Sequence, residues 1–254
     1  MSRAVYDLAA RRIGPAAPTS LRHPAGLSLL FDQPADAELI TPEIRADICS
    51  GAYSADLLQL LPGAVRPGDR VLIICVGLGA VSTAIARCRG VERVIAIQAD
   101  TRLIPYQDRV HAWNGVPEVE VANAVLADNK HGRVPFFARR DLSASSLLPD
   151  GQPWQTVIMV PFMGLSLILA EERISLMVCS IPRSGAQMIG SARLGGVDRV
   201  IVDCGNDAAP WWEEGELCSV LAARGYVCSP ANQAQVPPSG TALLFQAPRP
   251  GCVR

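Results

Sequence analysis

Three features of the sequence predict a doubly wound α/β fold with a mostly parallel central sheet and a C-terminal antiparallel hairpin. Apolar runs of strand length, among them VLIICV (Val71–Val76), ISLMVCS and RVIVDC, are continuous rather than alternating, as in strands covered on both faces. Segments with helical apolar spacing separate the strand-like runs. The last two strand-like stretches, YVCS and TALLFQA, flank a Pro- and Gln-rich loop and read as a closing hairpin.

In chain order, residues 1–66 are short apolar pieces cut by Pro15, Pro18, Pro24, Pro34, Pro42 and Pro62. They read as a lead-in or cap, with LSLLF as a strand and Pro42–Leu61 as a helix. Residues 67–254 then form the α/β domain. RPGDR supplies the turn before VLIICV, AVSTAIARC has helical spacing, and VERVIAIQAD is a second β-branched strand, which completes one βαβ unit. The pattern is helical again from Thr101 to Asn114. VEVANAVL is a third strand, and VPFFARRD belongs to an inserted hairpin. TVIMVP, ISLMVCS and RVIVDC are further strands; SGAQMIGSARLGG between the last two is a short helix at best, and a helix through Glu216–Arg224 precedes the hairpin.

The balance of 23 basic and 24 acidic residues, net −1, gives no strong field for a nucleic-acid or membrane-surface partner. The eight cysteines contain no C-x-x-C pair, and several sit in apolar runs, which reads as buried small hydrophobes in a reducing compartment. His23, His111 and His131 have no metal-like spacing to one another or to the cysteines, so no metal is expected. No run approaches the ~18 apolar residues of a membrane span. A soluble, cytoplasmic protein is the expectation.

Gly77 and Gly79 stand where VLIICV turns into a helix. Glycines at such a turn let the backbone approach a ligand, and a nucleotide-like guest is the functional reading; a tight turn with no ligand is the bland one. The sequence G-L-G-A-V-S lacks the third glycine of the dinucleotide fingerprint, which argues against NAD.

Across about Leu27 to Gln246 the chain resembles the FkbM-type S-adenosylmethionine (SAM)-dependent methyltransferases. The resemblance is carried by RPGDRVLIICVGLGAVSTAIAR, VIAIQADTRLIPYQDRVHAWNGV, VEVANAVLAD, VPFFARRDLSASSLL, ISLMVCSIPRSGAQMIGSARL and GVDRVIVD, in that order. It implies the Rossmann-like class I methyltransferase fold, SAM over the carboxyl ends of the first strands, and methyl transfer to a hydroxyl oxygen. The cofactor-binding set it implies is Val76, Gly77, Leu78, Gly79, Gln98, Ala99, Asp100 and Asn123. The departures are concentrated at ligand positions. Where the family reads V-L-D-I-G-A-G-x-G, this chain has Ile73 for the acid and Cys75 for the first glycine, and the ribose-binding glutamate is Gln98. Its later D-I-E-G-G-E motif is here Ser180, Ile181, Pro182, Arg183, Ser184 and Gly185, and a further aspartate is Ser166. Loss of the charge at Gln98 alone weakens a hydrogen bond by around 1 kcal/mol. Strand alternation would put Ile73 and Cys75 on one face and Ile74 and Val76 on the other.

An active enzyme also needs a base near the acceptor hydroxyl. Candidates are His131, in a polar loop, Asp141, and Asp203 at the end of an apolar strand, each with an ordinary loop or capping role as its alternative. Arg139 and Arg140 could bind an anionic substrate group or form a surface ion-pair cluster. The implied function is an FkbM-like methyltransferase homologue with weakened or lost catalysis, a pseudoenzyme with a binding or scaffold role, and a protein partner reached through Trp211 and Trp212. The alternative is an active O-methyltransferase, acting on a small-molecule or glycan hydroxyl with a modified SAM site.

Overall fold

The computed structural model describes residues 19–75, 77–180, 185–203, 211–229 and 242–247, with the backbone alone for 211–216. Strands β1 (Ser20–His23) and β2 (Leu27–Leu30) form an antiparallel hairpin, followed by α1 (Asp36–Leu39), α2 (Pro42–Ser50) and α3 (Ala55–Ala64). The single helix expected over Pro42–Leu61 is therefore broken. The Thr41 side chain accepts the Ile44 N–H at the start of α2, and Gly51 ends it in the left-handed region, φ +85°. A side chain at Gly51 would also press on Pro24, with a Cβ 2.9 Å from its Cγ. Residues 51–54 thus become a linker between two helices, and the linker presents Tyr53.

Next come β3 (Arg70–Ile74), α4 (Ala80–Ala86), β4 (Arg93–Gln98), α5 (Leu103–Trp113), β5 (Glu120–Asn123) and β6 (Val125–Leu126). The hairpin strands β7 (Arg133–Ala138) and β8 (Thr156–Met163) lead to α6 (Leu165–Glu171), β9 (Leu176–Cys179), α7 (Gly185–Ser191) and β10 (Arg199–Asp203). The chain closes with α8 (Trp211–Ala223), β11 (Val227–Cys228) and β12 (Ala242–Gln246).

Among the described residues the main sheet has seven strands in the order β11-β12-β10-β9-β3-β4-β5. β12 runs antiparallel to both its neighbours, while β10, β9, β3, β4 and β5 are mutually parallel. The fold is α/β and Rossmann-like, and this strand order, with one reversed strand next to the edge, is that of the class I methyltransferase fold. The first strand, β3, lies in the middle, so the order reverses between β3 and β9. In open α/β sheets ligands bind at such a switch point, outside the carboxyl ends of the strands.

Alternation along the strands sorts side chains onto two covered faces. Leu72, Ile74, Ile97, Met177 and Val202 pack with Leu165 and Leu169 of α6, Ile189 of α7 and Leu221 of α8. Val71, Ile73, Ala96 and Val178 pack with Leu57 and Leu61 of α3 and Val81 and Ile85 of α4. The hairpin, α1 and α2 have their own apolar contact with Ala80 of α4 and Leu103, Tyr106 and Val110 of α5.

TVIMVP, a strand candidate in the sequence, is part of β8 but lies outside the main sheet, in a three-stranded sheet of order β6-β8-β7. Its exposed Val157 and Met159 alternate with the buried Val160, the pattern of a strand with one wet face. VEVANAVL likewise splits at Ala124. The Asn123 side-chain amide donates to the carbonyls of Gln98 and Ala99, which takes the chain out of the sheet edge. No helix among the described residues is long and apolar enough to cross a membrane.

At the amino ends of the central strands, Arg199 and Asp69 form a buried ion pair, with 2.9 Å between Arg199 Nη1 and Asp69 Oδ2. Arg199 also donates to the Ala64 carbonyl at the end of α3. The same carboxylate accepts the Ser175 hydroxyl at 2.8 Å and the Arg66 N–H at 2.7 Å. Burial acts to raise the Asp69 pKa, but the hydrogen bonds from Arg199, Arg66 and Ser175 outweigh it and hold the carboxyl below its ordinary value. The pair's contribution is therefore full above the unfolded carboxyl pKa of about 3.9 and is lost as pH falls through the lower folded value. In chemical denaturation at neutral pH, Asp69→Asn is expected to lose about 3–5 kcal/mol of stability, because it leaves the Arg199 charge buried and unpaired. A double apolar replacement, Asp69→Leu with Arg199→Met, should recover part of that loss.

Candidate functional site at the first glycine turn

β3 ends at Ile74 and α4 begins at Ala80, with Cys75 and residues 77–79 described between them. Cys75, Gly77 and Gly79 all have positive φ, +56°, +55° and +87°. Glycine takes these values freely, whereas a side chain at Cys75 costs roughly 1–2 kcal/mol. The left-handed residue also ends the strand alternation. Ile73 is in the core face with Val81 and Ile85, but Cys75 packs on the opposite face, with the cluster that holds Ile74. The expectation that Ile73 and Cys75 share a face is thereby corrected. The Cys75 N–H donates to the Ile97 carbonyl at 3.0 Å. Burial pushes its thiol up to about 11, against a smaller opposing effect of the Ala99 N–H that it accepts.

Tyr53, from the linker between α2 and α3, reaches into this turn. Its hydroxyl accepts the Leu78 N–H at 2.9 Å, and it lies so close to Gly77 that a Cβ there would collide with it. Burial pushes the phenol up to about 12; the Leu78 N–H opposes this, and the charge of Asp203 adds to it. Asp203, at the end of β10, in turn accepts the Ser180 hydroxyl at 3.1 Å.

On the other side of the turn, α5 supplies a buried polar group that sequence reasoning missed. Gln107 Nε2 donates to the Gly77 carbonyl, and His111 Nε2 lies 2.7 Å from Ser82 Oγ. The hydroxyls of Ser82 and Thr83 both donate to the Gly79 carbonyl. With the Ser82 proton so placed, His111 Nε2 is the donor and Nδ1 a bare acceptor. His111 Nδ1 and Gln107 Oε1 are buried with no partner among the described residues. The signal was available: Gln107 and His111 are four residues apart, which puts two polar side chains on one helix face.

The cofactor-binding set implied by the resemblance falls together at the carboxyl ends of β3, β4 and β5, except Val76, which lies outside the described residues. Its polar members bond within the chain. Gln98 Oε1 accepts the Asp100 N–H at 3.3 Å, and Asn123 Nδ2 bonds the carbonyls of Gln98 and Ala99. Both Asp100 oxygens accept from Arg102, Oδ2 receiving Nη2 at 2.6 Å. The later motif positions Ile181–Ser184 also lie outside the described residues. At Ser166, where the resemblance expects an aspartate, a carboxylate is nonetheless present: Asp128 accepts both the Ser166 hydroxyl and its N–H.

The remaining candidates are dispersed. Arg139 is buried at 3% exposure, and its guanidinium donates to the carbonyls of Ala144, Leu148 and Pro149 and pairs with Asp150. Arg140 and Asp141 are exposed, and Asp141 accepts the Ser143 N–H and hydroxyl in a local turn. His131 is exposed before β7, at the opposite end of that strand from Arg139. Of the three base candidates Asp203 stands nearest the glycine turn: it accepts the hydroxyl of Ser180, whose N–H donates to the Ile74 carbonyl just before the turn. Trp211 and Trp212 begin α8, and their side chains lie outside what is described. No three His, Cys, Asp or Glu side chains among the described residues group as metal ligands.

No protein-family model matches the chain, and no curated protein does. Among solved structures it is similar to a ribosomal protein L11 methylase from Lactobacillus delbrueckii subsp. bulgaricus, at 12% identity over 78% of this chain and 80% of that one, TM-score 0.48. It is similar to a SAM dependent methyltransferase from Aquifex aeolicus, at 13% identity over 85% and 93%, TM-score 0.41. A third is the magnesium protoporphyrin IX methyltransferase from Synechocystis PCC 6803, at 11% identity over 82% and 85%, TM-score 0.47. These likenesses concern the fold alone, and the strand order stands without them.

The buried histidine yields a measurable property of the site. Burial lowers the His111 pKa from 6.5 to about 4. The unfolded chain therefore takes up the proton first, so stability is full above about pH 6.5 and declines as pH falls towards 4. Between pH 7 and pH 5 the wild type is expected to lose about 2 kcal/mol more than His111→Gln, measured by urea unfolding at each pH.

Proposed function

We propose that the chain is an FkbM-type methyltransferase homologue whose SAM binding and methyl transfer are weakened or lost, and that it acts as a binding or scaffold protein. The observation that carries this reading is that the polar groups of the glycine turn and of the β4 end are already bonded to their own chain. The Leu78 N–H is taken by Tyr53 and the Asp100 carboxylate by Arg102. As they stand, these residues do not fit an adenosyl amino acid. With Ile73, Cys75 and Gln98 in place of the family residues, three contributions of about 1 kcal/mol each are missing, which lowers affinity by about two powers of ten. The proposed protein partner is reached through Trp211 and Trp212.

A second reading, an active O-methyltransferase acting on a small-molecule or glycan hydroxyl, is favoured by one observation. Cys75, Gly77 and Gly79 keep the left-handed turn even though one of them carries a side chain. In that reading Asp203 is the base candidate that stands nearest the turn. Calorimetric titration of the full chain with SAM and with S-adenosylhomocysteine separates the two. No saturable heat is expected up to about 1 mM ligand. Micromolar binding of either ligand would overturn the first reading and support the second.

A further inference from the structure

We propose that Tyr53 is a displaceable plug of the glycine turn, and that a ligand bearing a carboxylate, of the adenosyl amino-acid class, enters only when the phenol leaves the Leu78 amide. The inference rests on the reading of this turn as a SAM-type site. The Leu78 N–H has one partner in the structure, and it is a side chain from outside the parallel sheet, 25 residues earlier in the chain. The phenol sits where Gly77 leaves no side chain of its own, so the bare face of that glycine is filled by Tyr53.

The linker that carries the plug is held by its backbone. The Tyr53 N–H donates to the Asp47 carbonyl at 3.0 Å, and the Tyr53 carbonyl faces His23 Nε2 at 3.1 Å. His23 Nδ1 accepts the Ala25 N–H, which leaves Nε2 as the protonated nitrogen that donates to Tyr53. With the linker so held, departure of the phenol is a rotation of the side chain about χ1, away from its packing on the hairpin cluster. Left-handed conformations at Gly51, φ +85°, and at Ser54, φ +55°, flank Tyr53, and the one at Ser54 is strained.

Bonding capacity is also unmet on the α5 side of the same turn. Gln107 is 3% exposed and its Nε2 is on the Gly77 carbonyl, yet its Oε1 has no partner among the described residues. An amino-acid end offers a carboxylate to the Leu78 amide. A carboxylate makes a hydrogen bond roughly twice as strong as a neutral phenol does, so the plug can be outcompeted.

The test uses the full-length protein and Tyr53→Phe, which keeps the ring and removes the acceptor, with Tyr53→Ala as a second variant. Circular dichroism checks the fold. Two readouts are taken: hydrogen exchange of the Leu78 amide without ligand, and the affinity for S-adenosylhomocysteine. Faster Leu78 exchange in Tyr53→Phe, together with about a tenfold gain in affinity over the wild type, is expected. Unchanged exchange, or faster exchange with unchanged or weaker ligand binding in both variants, overturns the plug. The proposed loss of SAM binding is judged separately, on the wild-type affinity alone: a wild type that binds at micromolar concentration and gains tenfold in Tyr53→Phe refutes that reading and keeps the plug.

Discussion

The buried pair between Arg199 and Asp69 is the constraint on which the central sheet rests. Two charges with so little exposure persist only when each is paired and further hydrogen-bonded. Asp69 meets that condition by collecting Arg199, the Arg66 N–H and the Ser175 hydroxyl. These groups belong to the starts of β3, β9 and β10, and Arg199 adds the end of α3 through the Ala64 carbonyl. The amino ends of three adjacent strands are thus held in register at one point. Their carboxyl ends then arrive together, which brings Cys75, Ser180 and Asp203 to one edge.

At that opposite edge the demands are reversed. The amino end is dry and closed, whereas the turn after β3 keeps a backbone shape suited to close approach by another group. In this chain the approaching group is Tyr53, delivered by a linker that exists because Gly51 stops α2. Beneath the turn, Gln107, His111, Ser82 and Thr83 bond the carbonyls of Gly77 and Gly79 and hold the turn from the α5 side. The Leu78 N–H and the carbonyls of Gly77 and Gly79 are thus bonded from within the chain, while Gln107 Oε1 and His111 Nδ1 have no partner among the described residues.

Where residues stand next to one another in sequence, the sequence was legible. Continuous apolar runs marked β3, β4, β9 and β10 because strands covered on both faces need apolar residues at every position. The same rule misled at β8, where an apolar run has one exposed face, and the single helix read over Pro42–Leu61 is ended by Gly51. The glycine turn was legible as a turn. The contacts that decide its chemistry were not, since Tyr53 and Leu78 are far apart in sequence and Asp128 meets Ser166 across 38 residues.

The sequence by itself determined the α/β class, the order of the parallel strands' segments and the hairpin at the end. These follow from local pattern, because periodicity and residue type act over a few neighbouring positions. Only the tertiary structure decided which face Cys75 joins, that Arg139 is spent on its own loop, and that Tyr53 fills the turn. Those outcomes depend on a single left-handed residue and on side chains brought together from distant segments, and neither is encoded in the spacing of apolar residues along the chain.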